Sequence, residues 1–329
     1  RSLTRTCPRM SASASFSRVP RTHAPWTTRR ASRSRRTATR VSVSSSVQTE
    51  THVTADGIRL EVFIKRAASS SSSKPPIVFV HGSYHAAWCW SEHFFEYFAN
   101  KGHDCYAISM RGQGGSDMPP DPDSAVAGTI ETHATDVSGF CASLPTAPVL
   151  VGHSFGGLIA QAVCTVNKAD LVGLALLASV PPTGNGPMVG RFMRKSPFAS
   201  LKITYAFIAG AFKSNQKLCR ECFFSKDLPD ETLKKHMAQI ATSCNVRLLD
   251  LKAMNKSLPV PKPANGCNVF VMGGSDDFVV DVEGVLETAE WGHTKAVILE
   301  NTAHDLMLDT RWEKAAEALE GWMGSIGKE

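Results

Sequence analysis

Residues 148 to 157 read PVLVGHSFGG. An apolar run stops at Gly152, Ser154 follows two residues on, and Gly156 and Gly157 close the stretch. Val149, Leu150 and Val151 read as a buried strand, and the FGGLIAQAVCTV that follows the serine reads as a helix. Gly152-His153-Ser154-Phe155-Gly156 is therefore a G-x-S-x-G pentapeptide set between a strand and a helix, the context in which such a turn presents a nucleophilic hydroxyl. Glycines flank the serine because the turn is sharp and leaves no room for a Cβ beside it. The same turn puts the Phe155 N–H at a helix start, where it can stabilise developing negative charge.

Outward from that turn, short apolar segments alternate with helical ones. GIRLEVFIKR (57–66) alternates like a half-buried strand, and PPIVFVHG carries a buried strand over 77–80 with a helical stretch after it at 88–100. CYAISM (105–110), LVGLALLAS (171–179), NVFVMGG (268–274) and AVILE (296–300) read as further strands. TIETHATDVSGFCASL (129–144) and RWEKAAEALEGWMG (311–324) have helical spacing. Strands alternating with helices imply an α/β fold with a mostly parallel central sheet covered on both faces, because each parallel step needs a crossover. The alternation lapses between PPTGNGP and LPVPKPANG. A proline-punctuated insertion there, at about 182–262 and helical in pattern, reads as a cap over the carboxyl ends of the strands.

A serine hydroxyl needs a base, and in this kind of fold the chain order is serine, acid, histidine. His304, in ENTAHDLMLD after the last strand, fits by position, although eight other histidines (His81, His85, His93, His103, His133, His153, His236 and His293) compete for the role. The strand ending at Ser179 runs into VPP with no carboxylate, so the acid is sought after the next strand, in GGSDDFVVD. Asp277 is chosen for its three-residue step from Gly274, with Asp276 as the alternative, while Asp281 and Asp305 are read as solvated or capping. A second oxyanion donor is expected after the first buried strand, in VHGSYHAAWCW, where Gly82 admits the substrate and Ser83 N–H donates. His81 reads as an anchor of that loop, and MRGQGGSD (110–117) as structural support.

The net charge of +6 misleads until its location is seen. Eleven arginines lie in residues 1–48, with no lysine and no acid before Glu50, so the remainder carries −5. That excludes a general affinity for nucleic acid. An arginine- and serine-rich, acid-free leader without an apolar core has the composition of an organelle transit peptide, and its density of serine and threonine favours the chloroplast over the mitochondrion. The expected organisation is a leader over 1–48 and one domain over 49–329. Nine scattered cysteines argue for reduced thiols, and the lone C-x-x-C of Cys219 and Cys222 is read as two ordinary ones. The longest apolar run outside the strands, ITYAFIAGAF (203–212), is about half the ~20 residues of a membrane span.

With these motifs in place, the chain from about Thr51 to Lys328 resembles the α/β-hydrolase superfamily. HGSYHAAWCW and HDLMLD resemble its plant methylesterase and hydroxynitrile-lyase-like branch and bacterial relatives of that branch. The resemblance implies acyl transfer through an acyl-enzyme: Ser154 attacks, His304 is the base, Asp277 orients it, the Ser83 and Phe155 amides hold the oxyanion, and no metal or organic cofactor is required. Chlorophyllases of higher plants resemble this site but usually carry arginine where Phe155 stands, whereas algal and bacterial-type chlorophyll dephytylases are less strict at that position. The expected substrate is an apolar plastid ester, chlorophyll's phytyl ester being the sharpest candidate, with a small methyl ester or a galactolipid as alternatives. The cap segment 188–213 mixes Phe and Met with Arg and Lys, which suits an apolar ligand or peripheral contact with an anionic lipid surface. A rival of another class is a non-catalytic ligand-binding protein on the same fold.

Overall fold

The computed structural model describes residues 46–68, 74–121, 124–264 and 266–327. The leader to residue 45 and the pentaserine at 69–73 lie outside the described residues. The domain opens on an antiparallel hairpin, β1 (Gln48–Val53) and β2 (Arg59–Lys65), in which Gln48 faces Ile64 and Val53 faces Arg59. The first strand was not anticipated, because its alternation is weak and nearly all of it is exposed; it starts at the last residue assigned to the leader, so the domain boundary moves to Gln48 or before.

Then come β3 (Ile77–Val80), α1 (Trp88–Ser91), α2 (Phe94–Asn100) and β4 (Cys105–Ile108). The helical stretch expected at 88–100 is two helices, broken at His93 where φ is −136°. After β5 (Val126–Gly128) and α3 (Ile130–Ser143), β6 (Val149–His153) leads into α4 (Phe155–Thr165), and β7 (Gly173–Leu177) precedes the cap. The cap holds α5 (Gly186–Lys195), α6 (Pro197–Ile208), α7 (Gln216–Phe223), α8 (Asp230–Thr242), β8 (Arg247–Leu249) and α9 (Leu251–Ser257). The chain finishes with β9 (Val269–Gly274), α10 (Val282–Trp291), β10 (Ala296–Leu299) and α11 (Trp312–Met323).

The strands form one sheet in the order β1-β2-β4-β3-β6-β7-β9-β10, parallel from β4 onward. Alternation along β3 and β6 sends Val78, Val80 and Leu150 to a face covered by α3, α4 and α10, and Ile77, Phe79, Val149 and Val151 to a face covered by α2 and α11. With both faces covered, β3, β4, β6 and β7 are buried at every residue, which is why they read as unbroken apolar runs. The cap is not wholly helical: β8 pairs in parallel with β5, setting Arg247 opposite Val126 and Leu249 opposite Gly128. No helix among the described residues is long and apolar enough to cross a membrane.

The turn after β4 does support the frame, through Arg111. Its guanidinium takes Asp136 of α3 at 2.6 and 2.7 Å and Asp56 of the opening hairpin at 2.8 Å twice. The Arg111 and Asp136 side chains are 6% and 2% exposed. Arg111→Ala leaves the Asp136 carboxylate buried without its partner and is expected to cost about 3–5 kcal/mol, read as a lowered urea midpoint; Arg111→Lys recovers only part of it, because an ammonium cannot make the two-pronged contacts.

Candidate active site

Four strand ends meet at one edge of the sheet. Ser154 stands between β6 and α4 with φ 55° and ψ −124°, a conformation that costs a non-glycine residue about 1–3 kcal/mol and persists only where the surroundings over-determine it. Here they do. Its N–H donates to Leu177 O (3.2 Å), and its carbonyl accepts from Gly157 N (3.0 Å) and Val180 N (3.0 Å). A Cβ on Gly156 would lie 2.3 Å from His81 O and 2.6 Å from Val80 O, and one on Gly152 would lie 2.6 Å from Gly156 O. Gly156 is thus where the first turn of α4 is pressed against the end of β3, and Gly152 where the end of β6 is pressed against α4.

His304 and Asp277 arrive on the loops after β10 and β9. His304 Nδ1–H donates to Asp277 Oδ2 at 2.8 Å, and Asp277 Oδ1 accepts from the N–H groups of Val279 (2.7 Å) and Val280 (2.9 Å). The carboxylate is therefore held by its own turn before it meets the imidazole. Asp276, the alternative acid, is exposed and, among the described residues, accepts only the Ser275 hydroxyl at 2.9 Å, so Asp277 is the residue brought to His304. Asp281 caps α10, accepting from Gly284 N (2.9 Å), and pairs with Arg191 of α5. Burial works to lower the His304 pKa, but the charge and hydrogen bond of Asp277, joined by the charge of Asp305, outweigh it and hold the imidazole above its ordinary value.

The loop after β3 lies directly over the elbow, since a Cβ on Gly82 would come within 2.7 Å of Ser154 Cβ. Ser83 and Phe155 share one cavity with Ser154 and His304, and the Phe155 amide is among the first N–H groups of α4, which have no partner inside the helix. Met110 N–H donates to His81 Nε2 (3.0 Å), so His81 Nδ1–H donates to Gly82 O (2.7 Å). Burial pushes that imidazole down to about 3, a neutral anchor for the loop.

Three further groups escaped the sequence reading. Asp305, expected to be solvated or capping, is completely buried and meets His85 Nε2 at 3.0 Å. The other nitrogen of His85 meets Ser83 O at 3.0 Å. His85 thus bridges the two and ties the Ser83 loop to the residue after His304. His153 Nε2–H donates to His304 O at 3.0 Å, fixing the same loop from the elbow. Position alone hid these roles, for Asp305 reads like any polar residue next to a loop histidine. Cys219 and Cys222 are buried on α7 with their thiols pushed up to about 12 by burial, as suits ordinary thiols.

The cavity measures about 360 Å³, within the usual range for small ligands. Its walls are mostly apolar, from Met188, Val189 and Phe192 of α5, Ile203, Phe207 and Ile208 of α6, and Leu248 and Leu249 of β8. The arrangement assembles a strained serine, a carboxylate-paired histidine and free helix-start amides around an apolar chamber, which is what acyl transfer asks for.

Residues 77–318 match the model of the Alpha/beta hydrolase family. Methylesterase 1 of Arabidopsis thaliana is 33% identical over 122 residues, 36% of this chain and 45% of that protein. Esterase PIR7B of Oryza sativa subsp. japonica is 34% identical over 134 residues, 39% of this chain and 48% of that protein. The chain thus matches about half the length of these curated relatives. A thermophilic esterase from Thermogutta terrifontis superposes with a TM-score of 0.60 at 21% identity, covering 85% of this chain and 99% of that one. The esterase EaEST from Exiguobacterium antarcticum does so with 0.62 at 18%, covering 84% and 100%. At such identities the likeness to the solved structures is one of fold.

The two loop histidines should separate cleanly in an imidazole titration followed by NMR. His304 is expected to titrate above the ordinary value of about 6.5, and Asp277→Asn to bring it down, while His81 stays neutral until about pH 3. A His304 midpoint that ignores Asp277→Asn would show that the carboxylate does not set its charge.

Proposed function

Since the chain belongs to the alpha/beta hydrolase family, we propose that it is a serine hydrolase of carboxylic esters with Ser154, His304 and Asp277 as its triad. His304 Nε2 takes the Ser154 hydroxyl proton as Oγ bonds to the ester carbon. The Ser83 and Phe155 amides hold the oxyanion, and the alcohol leaves with the proton from His304. Water, deprotonated by the same imidazole, then attacks the acyl-enzyme and releases the acid, restoring Ser154. Asp277 keeps Nδ1 protonated so that Nε2 faces the reaction, and stabilises the imidazolium that forms. The Nδ1-to-Asp277 hydrogen bond beside the strained Ser154 elbow carries this reading.

The apolar walls support an apolar ester as substrate. The arginine-rich, acid-free leader supports a chloroplast setting, where the phytyl ester of chlorophyll is the candidate to test first; its chain suits the cavity while its macrocycle stays outside. The methyl ester of a small apolar acid is the second reading, favoured by the name of the relative Methylesterase 1 and by a chamber that holds such a substrate whole. Mass spectrometry of products formed from plastid pigments, galactolipids and methyl esters, run beside Ser154→Ala, decides among them. Loss of Oγ is expected to lower kcat by roughly 10⁴-fold or more. Chlorophyllide, free fatty acid or methanol dependent on Ser154 each names its substrate, whereas turnover equal in both proteins returns the fold to a ligand-binding role.

Delivery from a lipid surface is part of the proposal. On α6, Phe198, Leu201, Tyr205 and Ile208 recur at intervals of three and four and are 87%, 57%, 63% and 83% exposed, an apolar helical face over the cavity wall. Arg194, Lys195 and Lys202 flank it. Phe198→Asp with Leu201→Asp is expected to abolish co-sedimentation with phosphatidylglycerol vesicles. Unchanged sedimentation would leave the face a soluble one.

A further inference from the structure

Charge is distributed unevenly around the cavity. Of its lining residues none is an aspartate, glutamate or lysine, and the one permanently charged side chain is Arg247. Arg247 is exposed at the first position of β8, and its backbone is pinned by the pairing with Val126 and by donation to Ala125 O at 3.3 Å. Among the described residues its guanidinium makes no ion pair and no side-chain hydrogen bond, whereas Arg59, Arg111, Arg191, Arg220 and Arg311 are each held by a carboxylate. The carboxylate three residues on, Asp250, accepts through Oδ1 from Lys252 N (2.8 Å) and Ala253 N (3.1 Å) at the start of α9, and it feels the charge of Arg247 without pairing with it. A second cation stands nearby: Lys213 Nζ lies 5.8 Å from the centre of the Tyr84 ring, and Tyr84 lines the cavity beside Ser83. Lys213, too, has no ion pair among the described residues.

A guanidinium that no carboxylate contacts, carried by a strand-anchored backbone at the rim of an acid-free apolar chamber, is a receptor for an anion on whatever occupies the chamber. Its planar fork matches a carboxylate in two-pronged fashion. We propose that Arg247 is a specificity-determining residue and that the preferred substrate is an apolar ester that also bears a carboxylate, placed to meet the guanidinium at the rim while the ester carbonyl lies at Ser154, with Lys213 over the Tyr84 ring adding to the positive field. This rests on the reading of Ser154 as the esterolytic nucleophile. The ester carbonyl sits at Ser154, the hydrocarbon middle along α5 and α6, and the anion at the partly hydrated rim, where pairing does not require full desolvation of either charge.

The test compares length-matched pairs with the full chain: mono-p-nitrophenyl adipate against p-nitrophenyl hexanoate, and mono-p-nitrophenyl suberate against p-nitrophenyl octanoate. At the length that spans the chamber, kcat/KM is expected to favour the anionic member by about 10-fold, equivalent to about 1.4 kcal/mol. The ratio of anionic to neutral should fall to about one in Arg247→Gln, be partly kept in Arg247→Lys, invert in Arg247→Glu, and shrink with added salt, as suits a rim-exposed pair. A ratio near one in the wild type at both lengths, or one untouched by Arg247→Gln, overturns the proposal. A second arm needs no turnover. Calorimetry of Ser154→Ala with monomethyl suberate and dimethyl suberate should show tighter binding of the monoanion, lost when Arg247→Gln is added. Absence of hydrolysis with every ester, combined with this preference, would fail the esterase reading and keep the anion site; equal binding of the two would fail the anion site alone.

Discussion

The close approach of α4 to the end of β3 governs the site. Ser154 pays for a left-handed backbone because Gly156 lets the first helical turn sit against the carbonyls of Val80 and His81, and because Gly82 lets the following loop cross over Ser154 itself. Relaxing Ser154 into an ordinary strand or helix conformation would pull α4 away from β3 and break the bonds to Leu177 O and from Val180 N. Strain is thus held by packing on both neighbouring strands, which fixes the backbone that carries the Ser154 hydroxyl.

Around that point the fold gathers several titratable groups out of water, Asp277 paired with His304 and Asp305 with His85. Asp305 sits where burial alone would raise its pKa, yet the charge and hydrogen bond of His85, with His153 and His304, carry it below the ordinary carboxylate value. Its negative charge in turn helps Asp277 to keep the His304 imidazolium accessible against desolvation. His153 stays neutral, its pKa pushed well down first by burial and then by the charge of His304, which leaves it free to act as a rigid donor to the His304 carbonyl. Two carboxylates therefore do different work: Asp277 orients the ring, and Asp305, reached through His85, ties the oxyanion loop to the histidine loop. A single acid could not do both, because a carboxylate turned toward Ser83 would lose the Nδ1 contact.

How much of this was readable in sequence depended on whether the signal was local. The elbow and the parallel strands were legible because a buried strand is apolar along its whole length and a sharp strand-to-helix turn demands glycine at fixed places. Asp277 was separable from Asp276 only by a one-residue step, and the separation becomes physical in the turn itself, where Asp277 Oδ1 takes two backbone N–H groups while Asp276 is left facing solvent. The β5–β8 ladder and the His85–Asp305 pair were not legible. Their partners lie far apart in the chain, three-residue strands have too few positions to show a period, and an aspartate gives no hint in sequence that a histidine 220 positions away will cover it.

That ladder matters beyond the cap's anchorage. The chemistry sits on loops of the main sheet, whereas the chamber's walls come from α5, α6 and β8, so residues that select can change without disturbing residues that react. Yet the cap is not loosely attached: Arg191 of α5 grips Asp281, four residues beyond Asp277, Phe192 stacks on Phe278 at 6.1 Å, and β8 is hydrogen-bonded to β5. On such a strand the Arg247 backbone is anchored, so the reach of its side chain bounds where an anion can be met. An anion-bearing ester that is too short cannot reach the guanidinium while its carbonyl lies at Ser154. The rigidity of the β5–β8 pairing, set outside the triad, is therefore what would turn attraction for an anion into selection among anions.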